Sequence, residues 1–336
     1  MGFYIEMISV GEGDSFLLTL DTPDKSEAHV LIDGGNGDRA NRIIGHVKKY
    51  AGGRLELVIA THLDDDHIGG LIPLIKDQGI KVDTLVLNTP GNFQRWLQLR
   101  TVLKSFTKVA SLQKVEKSLE STNGLLETAK KRNIPVQSAL AGNVWKCYDV
   151  KLIVLNPTKE RLEAAWAEKI AEDISKFSGD YLGQLLVEKG VTAPPTTLSN
   201  DSSIILELIH GSNCYALFTA DAGAAVIKEV TNAKSYRFLK VPHHGSKTGL
   251  DEDLIKQVKP TWAYIPVGEN PHGHPNLETL DLLRQYGATT YCSEKTKDCR
   301  RECKHHDFTV LCHQQDKPSR EEWSTVDSKD CKNNIQ

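Results

Sequence analysis

The segment at residues 61–70, THLDDDHIGG, is the feature that most constrains this chain of 336 residues. It follows a mostly apolar run at residues 55–60, which is typical of a buried strand. Four side chains of the segment are of types that bind divalent ions: His62, Asp64, Asp66 and His67. The segment therefore predicts a metal site at a strand end. The alternative is a solvated acidic turn, which Asp65 fits because Asp suits turns and helix caps.

The composition is that of a soluble globular chain, with 39% hydrophobic residues, 25% charged residues and a formal net charge of −3. The length fits one large domain or two small ones. The N-terminal stretch MGFYIEMISVGEGDSF contains acidic residues and glycines where a signal peptide needs a basic start and a long apolar run. No window approaches the apolar length of a membrane span. We therefore expect a cytoplasmic protein that does not associate with a membrane.

Segments with the periodicity of strands and segments with that of helices alternate along the chain in two groups. This pattern predicts an α/β protein with two packed sheets and helices outside. The predicted strands lie at residues 4–10, 15–20, 28–32, 55–60, 84–87, 150–155, 203–209, 215–219, 238–241, 262–265 and 289–292. The predicted helices lie at residues 41–50, 93–106, 161–177, 224–230 and 277–286.

Two stretches look like helical inserts in this frame and are candidate contact sites for protein partners. The first, at residues 91–135, has nine basic residues and three acids, so it either binds phosphates or presents an ordinary solvated helix face. Its basic residues are Arg95, Arg100, Lys104, Lys108, Lys114, Lys117, Lys130, Lys131 and Arg132. The second, at residues 158–197, is either a lid or specificity element or a surface hairpin.

Seven cysteines is an odd number, and Cys147 and Cys214 lie in strand-like runs that favour buried, reduced thiols. Most of the others lie near the C-terminus, with three histidines among them. A structural zinc ion is one interpretation for Cys292, Cys299, Cys303 and Cys312. Free thiols or a single disulfide are the alternatives, because the spacing is not that of a repeated CxxC pair.

Further metal-binding side chains follow other apolar runs, where a sheet exposes catalytic groups. Each of them alone is a weak signal, because Asp before Gly is common in turns and a lone His is often structural. Together they predict one site at the strand ends, and they are Asp33, Asp201, Asp221, His243 and His244.

The wording and order of these motifs resemble the metallo-β-lactamase fold superfamily, in particular the soluble hydrolase domain of bacterial competence (DNA-uptake) proteins of the ComEC type. The matching pieces are VGEGDS at 10–15, LIDGG at 31–35, THLDDDHIGG at 61–70, NDSS at 200–203, FTADA at 218–222, LKVPHHGSKTG at 239–249 and GHPNLETL at 273–280. The resemblance implies a four-layer αββα sandwich over residues 1–292, with the two helical inserts and a Cys/His-rich extension at 293–336.

The resemblance also implies a site for two divalent metal ions. The first ion would be held by His62 and Asp64, with Asp201 where many relatives have a histidine. The second would be held by Asp66, His67 and one histidine of the 243–244 pair, with His243 preferred because it is nearer the strand. Asp221 would bridge the ions, and Asp33 would orient ligands. This oxygen-rich donor set favours Mn²⁺ at least as much as Zn²⁺, with Mg²⁺ a further candidate.

Such a site performs hydrolysis through a metal-activated hydroxide. The predicted catalytic residues are Asp66, His67, His244, His274 and Lys247. Lys247, or alternatively Ser246, would hold a phosphoryl oxygen. His274 or the non-ligating histidine of the pair would protonate the leaving group, although His274 could instead cap the following helix.

The function implied by the resemblance is that of a phosphodiesterase, most simply a nuclease acting on DNA. Because the chain shows neither the membrane channel nor the oligonucleotide-binding domain of the competence proteins, we expect a freestanding enzyme, such as an effector in bacterial defence. Two alternatives are a hydrolase of a small ester, lactone or phosphocholine-type group and a regulatory or binding subunit that uses its metals structurally.

Overall fold

The computed structural model describes residues 2–22, 24, 26–89, 93, 97, 110–165, 200–296, 304–305 and 308–313. Most of the predicted helix at 93–106, most of the second insert and most of the Cys/His-rich extension lie outside this set. The domain boundary predicted at residue 292 stays a prediction. Within the extension, the described residues form two strands that add to the two sheets.

The first sheet has seven strands in the order β17-β1-β2-β3-β5-β7-β8. Neighbouring strands are antiparallel from β17 to β3 and parallel from β3 to β8. These strands are β1 Phe3–Ile8, β2 Phe16–Asp21, β3 Glu27–Ile32, β5 Leu57–Ala60, β7 Leu85–Leu87, β8 Val136–Gln137 and β17 Phe308–His313. Two short strands, β4 Arg54–Leu55 and β6 Lys81–Val82, form a separate parallel pair.

The second sheet has eight strands in the order β16-β15-β14-β13-β12-β11-β10-β9. It is antiparallel from β9 to β12 and parallel from β12 to β16. The strands are β9 Val144–Cys147, β10 Val150–Asn156, β11 Ile205–His210, β12 Asn213–Phe218, β13 Phe238–Lys240, β14 Trp262–Ile265, β15 Thr289–Cys292 and β16 Lys304–His305.

Three hydrophobic cores separate four layers and confirm the predicted αββα sandwich. In β2, Phe16 and Leu18 face the core between the sheets, whereas Leu17 faces the outer core, as the two-residue period of a strand requires. The outer core of the first sheet packs against helices α1 Ala40–Tyr50, α3 Leu71–Lys76 and α4 Ala110–Lys131. That of the second sheet packs against α5 Ala224–Thr231, α6 Glu252–Val258 and α7 Leu277–Gln285.

Helix α4, the longest helix among the described residues, lies within the stretch at 91–135 that the sequence predicts as a helical insert, but its bounds were not predicted. Its buried face includes the polar residues Ser118 and Thr122 beside Leu119, Leu125 and Ala129. The apolar stripe that identifies an amphipathic helix is therefore broken in the sequence. Helix α6 and strands β16 and β17 are further elements that sequence periodicity missed.

The loops that carry the predicted site residues leave the sheets at one edge. Asp33 follows β3 and the THLDDDHIGG segment follows β5, and these strands are parallel neighbours. In the second sheet, Asp221 follows β12 and the histidine pair follows β13, which are again parallel neighbours. Because carboxyl ends of parallel strands share an edge, each sheet contributes two adjacent loops to the site.

Among the residues described, no helix is both long enough and apolar enough to cross a membrane.

Packing between the sheets predicts a large loss of stability on truncating Phe218. Its ring is 1% exposed, and its centroid lies 5.5 Å from that of Phe16 and 5.3 Å from that of Phe238. We expect Phe218→Ala to lower the free energy of unfolding by about 3–5 kcal/mol, because it leaves a cavity between two sheets that cannot close. Denaturant unfolding measures this, with Leu277→Ala, at a position 43% exposed, as the control. Equal losses in the two variants would contradict the packing described.

Candidate metal centre

Three buried histidines are held by hydrogen bonds at Nδ1, which leaves Nε2 of each ring facing the site. His62 Nδ1 lies 3.1 Å from the Thr61 hydroxyl, which donates to Asp33 at 2.7 Å. His67 Nδ1 lies 2.9 Å from Asp33 Oδ2, and His244 Nδ1 lies 2.9 Å from the Pro266 carbonyl. Since the carboxylate and the carbonyl can only accept, Nδ1 of His67 and of His244 carries the proton, and Nε2 of each ring is available as a ligand.

The Nε2 atoms of four histidines surround the buried carboxylate of Asp221. The distances to its nearer oxygen are 4.0 Å from His62, 3.4 Å from His67, 3.7 Å from His243 and 3.5 Å from His244. Both Asp221 oxygens take part, since Oδ1 faces His67 and Oδ2 faces the other three. This arrangement is compatible with a carboxylate that bridges two ions, the role that the resemblance implies for Asp221 and that stays a prediction.

Asp66 and Asp64 add carboxylates from the THLDDDHIGG loop. Asp66 Oδ2 lies 3.2 Å from Nε2 of His244 and 3.8 Å from Nε2 of His67. Asp64 is 6% exposed and lies close enough to His62 to act on its pKa. The loop thus contributes two imidazoles and two carboxylates to one small volume, as its sequence predicts.

The donor atoms fit divalent cations. Within the described part of the chain, Nε2 of His62 and Nε2 of His67 are buried without a hydrogen-bond partner. Leaving a buried polar atom unpaired costs roughly 1–3 kcal/mol. Two such nitrogens turned toward one carboxylate therefore favour the binding of a cation. Ligands that share an ion at about 2.0–2.2 Å lie roughly 3–4 Å apart, the spacing that separates these nitrogens from Asp221.

The carboxylates give the site a negative potential. Burial acts to lower the pKa of His67, but Asp221, Asp14 and Asp33 raise it well above its ordinary value. Burial opposes protonation of His244 too, but Asp221 and the hydrogen bond to Asp66 raise its pKa to about 9. The same field favours a metal cation at these nitrogens, where it displaces the protons.

His62 behaves differently from the other two buried rings. Burial, and then the neighbouring His67, lower the pKa of His62 to about 4. His62 is therefore neutral near pH 7, which is the protonation state that a metal ligand needs.

Sequence reasoning missed the supporting roles of Asp14 and Lys240. The Lys240 ammonium is 1% exposed and lies 2.6 Å from Asp14 Oδ2 and 3.4 Å from Asp221 Oδ1. Asp14 Oδ1 lies 3.4 Å from Nδ1 of His244, on the side of the ring opposite Nε2. Asp14 is within 4.8 Å of donor atoms of His67, Asp221 and His244, but its direction makes it a support behind the ligands. The signal was present, since Asp14 lies in the VGEGDS motif and Lys240 in LKVPHH.

The sequence preference for His243 over His244 is reversed by the geometry. The His244 side chain is 2% exposed and bonded at both ring nitrogens, whereas that of His243 is 32% exposed. Both residues have φ near +50° (50° and 47°), in a turn that places their rings on the same side of Asp221. Such backbone strain is common at functional sites. His244 is thus the better ligand, and His243 lines the outer side of the site.

Asp201 is bonded to the loop that carries Asp221. Its Oδ1 accepts a hydrogen bond of 2.8 Å from the backbone amide of Gly223, two residues after Asp221. Its backbone carbonyl accepts from the Asn156 amide at 2.8 Å. Asp201 therefore braces the loop of Asp221, and its role as a metal ligand stays a prediction.

His274 and Lys247 lie at the outer side of the site. The His274 ring centroid is 5.6 Å from that of His243, and burial followed by the charge of His243 lowers its pKa to about 4. The interpretation of His274 as a helix cap is wrong, because the cap of α7 is Asn276, whose side chain accepts from the Glu278 amide. Lys247 is exposed in the loop after the histidine pair.

Two basic residues of the first insert make structural contacts, whereas Lys130 and Lys131 are exposed. Arg132 donates to the backbone carbonyls of Ile75, Asp77 and Ile80, and Lys117 pairs with Asp65. The interpretation of Asp65 as a simple turn residue is therefore incomplete. Residues Arg95, Arg100, Lys104 and Lys108 lie outside the described residues.

The cysteines give no support to a structural zinc site. Cys292 lies in β15 and Cys312 in β17, which belong to different sheets, while Cys299 and Cys303 lie outside the described residues. Cys147 and Cys214 are free thiols that are half-buried in β9 and β12. Burial raises the pKa of Cys214 to about 11, which keeps it a thiol near pH 7.

Comparisons with known proteins agree with this architecture. The family model of the metallo-beta-lactamase superfamily matches residues 9–268. ComE operon protein 3 of Bacillus subtilis is 25% identical over 304 residues, covering 84% of this chain and 30% of that protein. Recombination protein 2 of Haemophilus influenzae is 35% identical over 95 residues, covering 27% of this chain and 12% of that protein. The chain thus spans less than a third of the length of either relative.

Solved structures with a similar fold include the metallo-beta-lactamase fold protein YhfI of Bacillus subtilis. Its TM-score is 0.45 at 12% identity, with 92% of this chain and 99% of YhfI covered. A diphosphatase of the PhnP family has a TM-score of 0.40 at 13% identity, with coverages of 91% and 97%.

The bonds from Asp33 to Thr61 and His67 predict that this residue supports metal binding without touching an ion. We expect Asp33→Ala to weaken Mn²⁺ binding by about 10–100-fold, because the ring of His67 and, through Thr61, that of His62 lose their orientation. Isothermal titration with Mn²⁺ measures the change. Asp38→Ala is the matched control, since that side chain is 75% exposed. Unchanged affinity in Asp33→Ala would contradict the assignment.

Proposed function

Given that this chain belongs to the metallo-β-lactamase superfamily of metal-dependent hydrolases, we propose that it hydrolyses phosphodiester bonds in DNA. The observation that carries the proposal is the convergence of four imidazole Nε2 atoms on the Asp221 carboxylate, with Asp64 and Asp66 beside them. Two divalent ions bound there would supply a hydroxide at neutral pH and neutralise charge on the attacked phosphorus. The carboxylate-rich donor set makes Mn²⁺ the first candidate, ahead of Zn²⁺ and Mg²⁺.

The chain's own residues divide the remaining work. Asp221 lies between the histidines of the first sheet, His62 and His67, and those of the second sheet, His243 and His244. It holds these two pairs at a fixed separation. Asp33 fixes the His67 ring directly and the His62 ring through Thr61. The Lys240 ammonium offsets part of the negative charge of Asp14 and Asp221. It thereby reduces the electrostatic repulsion among the five neighbouring carboxylates. The ligand atoms are thereby oriented before any ion arrives.

Two groups on the outer side suit a phosphodiester. Lys247 is exposed in the loop after the histidine pair, where an ammonium attracts a phosphate. The pKa of His274, near 4, keeps it neutral, and an anionic substrate beside it would raise that pKa and favour protonation. We propose that His274 then gives a proton to the departing oxygen.

The choice of DNA rests on the resemblance to competence proteins, with which this chain shares its motifs from residue 10 to residue 280. The match to ComE operon protein 3 extends over 84% of this chain and supports the same grouping. The candidate role in bacterial defence and protein partners at the inserts stay part of this proposal.

The test is cleavage of labelled single-stranded and double-stranded DNA by purified protein with Mn²⁺, Mg²⁺ or Zn²⁺. We expect cleavage with Mn²⁺ and its loss in the double variant Asp66→Ala, His67→Ala, because that variant removes two donors from the site. Asp38→Ala should cleave as the native protein does, since the Asp38 side chain is 75% exposed.

Bound metal without cleavage of either DNA would contradict the nuclease proposal. Parallel assays with a small ester, a lactone and a phosphocholine compound then decide between a small-molecule hydrolase and a metal-bearing binding subunit.

A further inference from the structure

Helix α4, which belongs to the first insert, holds both carboxylate oxygens of Asp65. Lys117 Nζ lies 2.7 Å from Asp65 Oδ2, and the Ser121 hydroxyl donates to Asp65 Oδ1 at 2.9 Å. Lys117 and Ser121 are four residues apart, so they lie on the same face of the helix. The contact is therefore made by one face of α4 against one side chain.

Asp65 lies in the THLDDDHIGG loop directly between Asp64 and Asp66, two of the candidate metal ligands. It begins helix α2, Asp65–Ile68, and its backbone carbonyl accepts from the Gly69 amide at 2.8 Å. Adjacent residues share peptide planes, so the orientation of Asp65 constrains where its two neighbours point. A group that fixes Asp65 also limits the freedom of Asp64 and Asp66.

A third residue of α4 reaches one of these ligands itself. The Ser118 hydroxyl, on a side chain that is 2% exposed, lies 3.5 Å from Asp64 Oδ1. The distance is long for a hydrogen bond, so Ser118 adds less than the two contacts to Asp65.

Helix α4 can act as a support because other contacts anchor it. Leu119, Leu125 and Ala129 are fully buried in the outer core of the first sheet. Just past the C-terminal end of the helix, Arg132 donates to the carbonyls of Ile75 and Ile80 at 2.8 and 2.9 Å. The helix therefore keeps its place without the bonds to Asp65.

We propose that Lys117 and Ser121 are positioning residues of the metal centre, which act through Asp65 to hold the THLDDDHIGG loop in its ligand geometry. The inference rests on the proposed metal-dependent function, but it concerns ion binding and not the choice of substrate. It gives the insert a role in the site that differs from binding phosphates.

Because Lys117 is positively charged, the direction in which its removal changes metal affinity tests the proposal. If Lys117 acted only through its charge, its removal would strengthen cation binding, because a positive charge near the site repels metal ions. If it acts by positioning, its removal weakens binding. Lys117 is 64% exposed, and such an ion pair adds little to global stability, so variants at this position should fold.

The experiment is isothermal titration of the full chain with Mn²⁺, repeated with Zn²⁺. We expect Lys117→Met and Ser121→Ala each to weaken binding about three- to tenfold, and Asp65→Ala by about tenfold or more. Lys117→Arg should bind Mn²⁺ with native affinity, because arginine keeps the ion pair with Asp65. In Lys117→Met combined with Asp65→Ala, the losses should not add, since both changes break one contact.

Lys130→Met is the matched control, because Lys130 is an exposed lysine near the other end of the same helix. The thermal unfolding midpoint in EDTA should stay within error of the native value for Lys117→Met and Ser121→Ala, which separates positioning from a loss of fold.

Native or tighter affinity in both Lys117→Met and Ser121→Ala would overturn the inference while leaving the proposed hydrolase intact. Absence of Mn²⁺ and Zn²⁺ binding by the native protein would instead refute the proposed function, and this inference with it.

Discussion

The contact of Asp221 with four histidines is the constraint on which the candidate site depends. His62 and His67 come from the first sheet, whereas His243, His244 and Asp221 itself come from the second. The carboxylate can meet all four rings only if the sheets pack with the carboxyl ends of β5, β12 and β13 at one edge. The aromatic packing between the sheets, with Phe16, Phe218 and Phe238 in mutual contact, fixes that relation.

A second set of side chains, which come from several different strands and loops, supports the candidate ligands from behind. Asp33 orients His67, while Lys240 joins Asp14 to the loop of Asp221 and also donates to the Ala220 carbonyl at 2.6 Å. Ala220 has a φ of +47°, so the bond from Lys240 holds a strained residue directly before Asp221. Burying an ammonium is costly unless it is paired, and here two carboxylates and a carbonyl pair it.

Much of this arrangement could be predicted from the sequence, because the αββα layers, the strand-end loops and most donor residues follow from local patterns. The parts that could not be predicted depend on tertiary packing. Lys240 looks like any charged residue in a strand until its burial is known, and His243 and His244 differ only in which ring turns inward. The bounds of helix α4 could not be predicted because its buried face uses Ser118 and Thr122 as well as apolar side chains.

The proposed function requires two divalent ions bound at Asp221. Anomalous diffraction from crystals of the protein grown with Mn²⁺ tests it directly. We predict two peaks about 3.5–4 Å apart, each within ligand distance of an Asp221 oxygen, with His62, His67 and His244 among the ligands. A single peak, or peaks that do not contact Asp221, would contradict it.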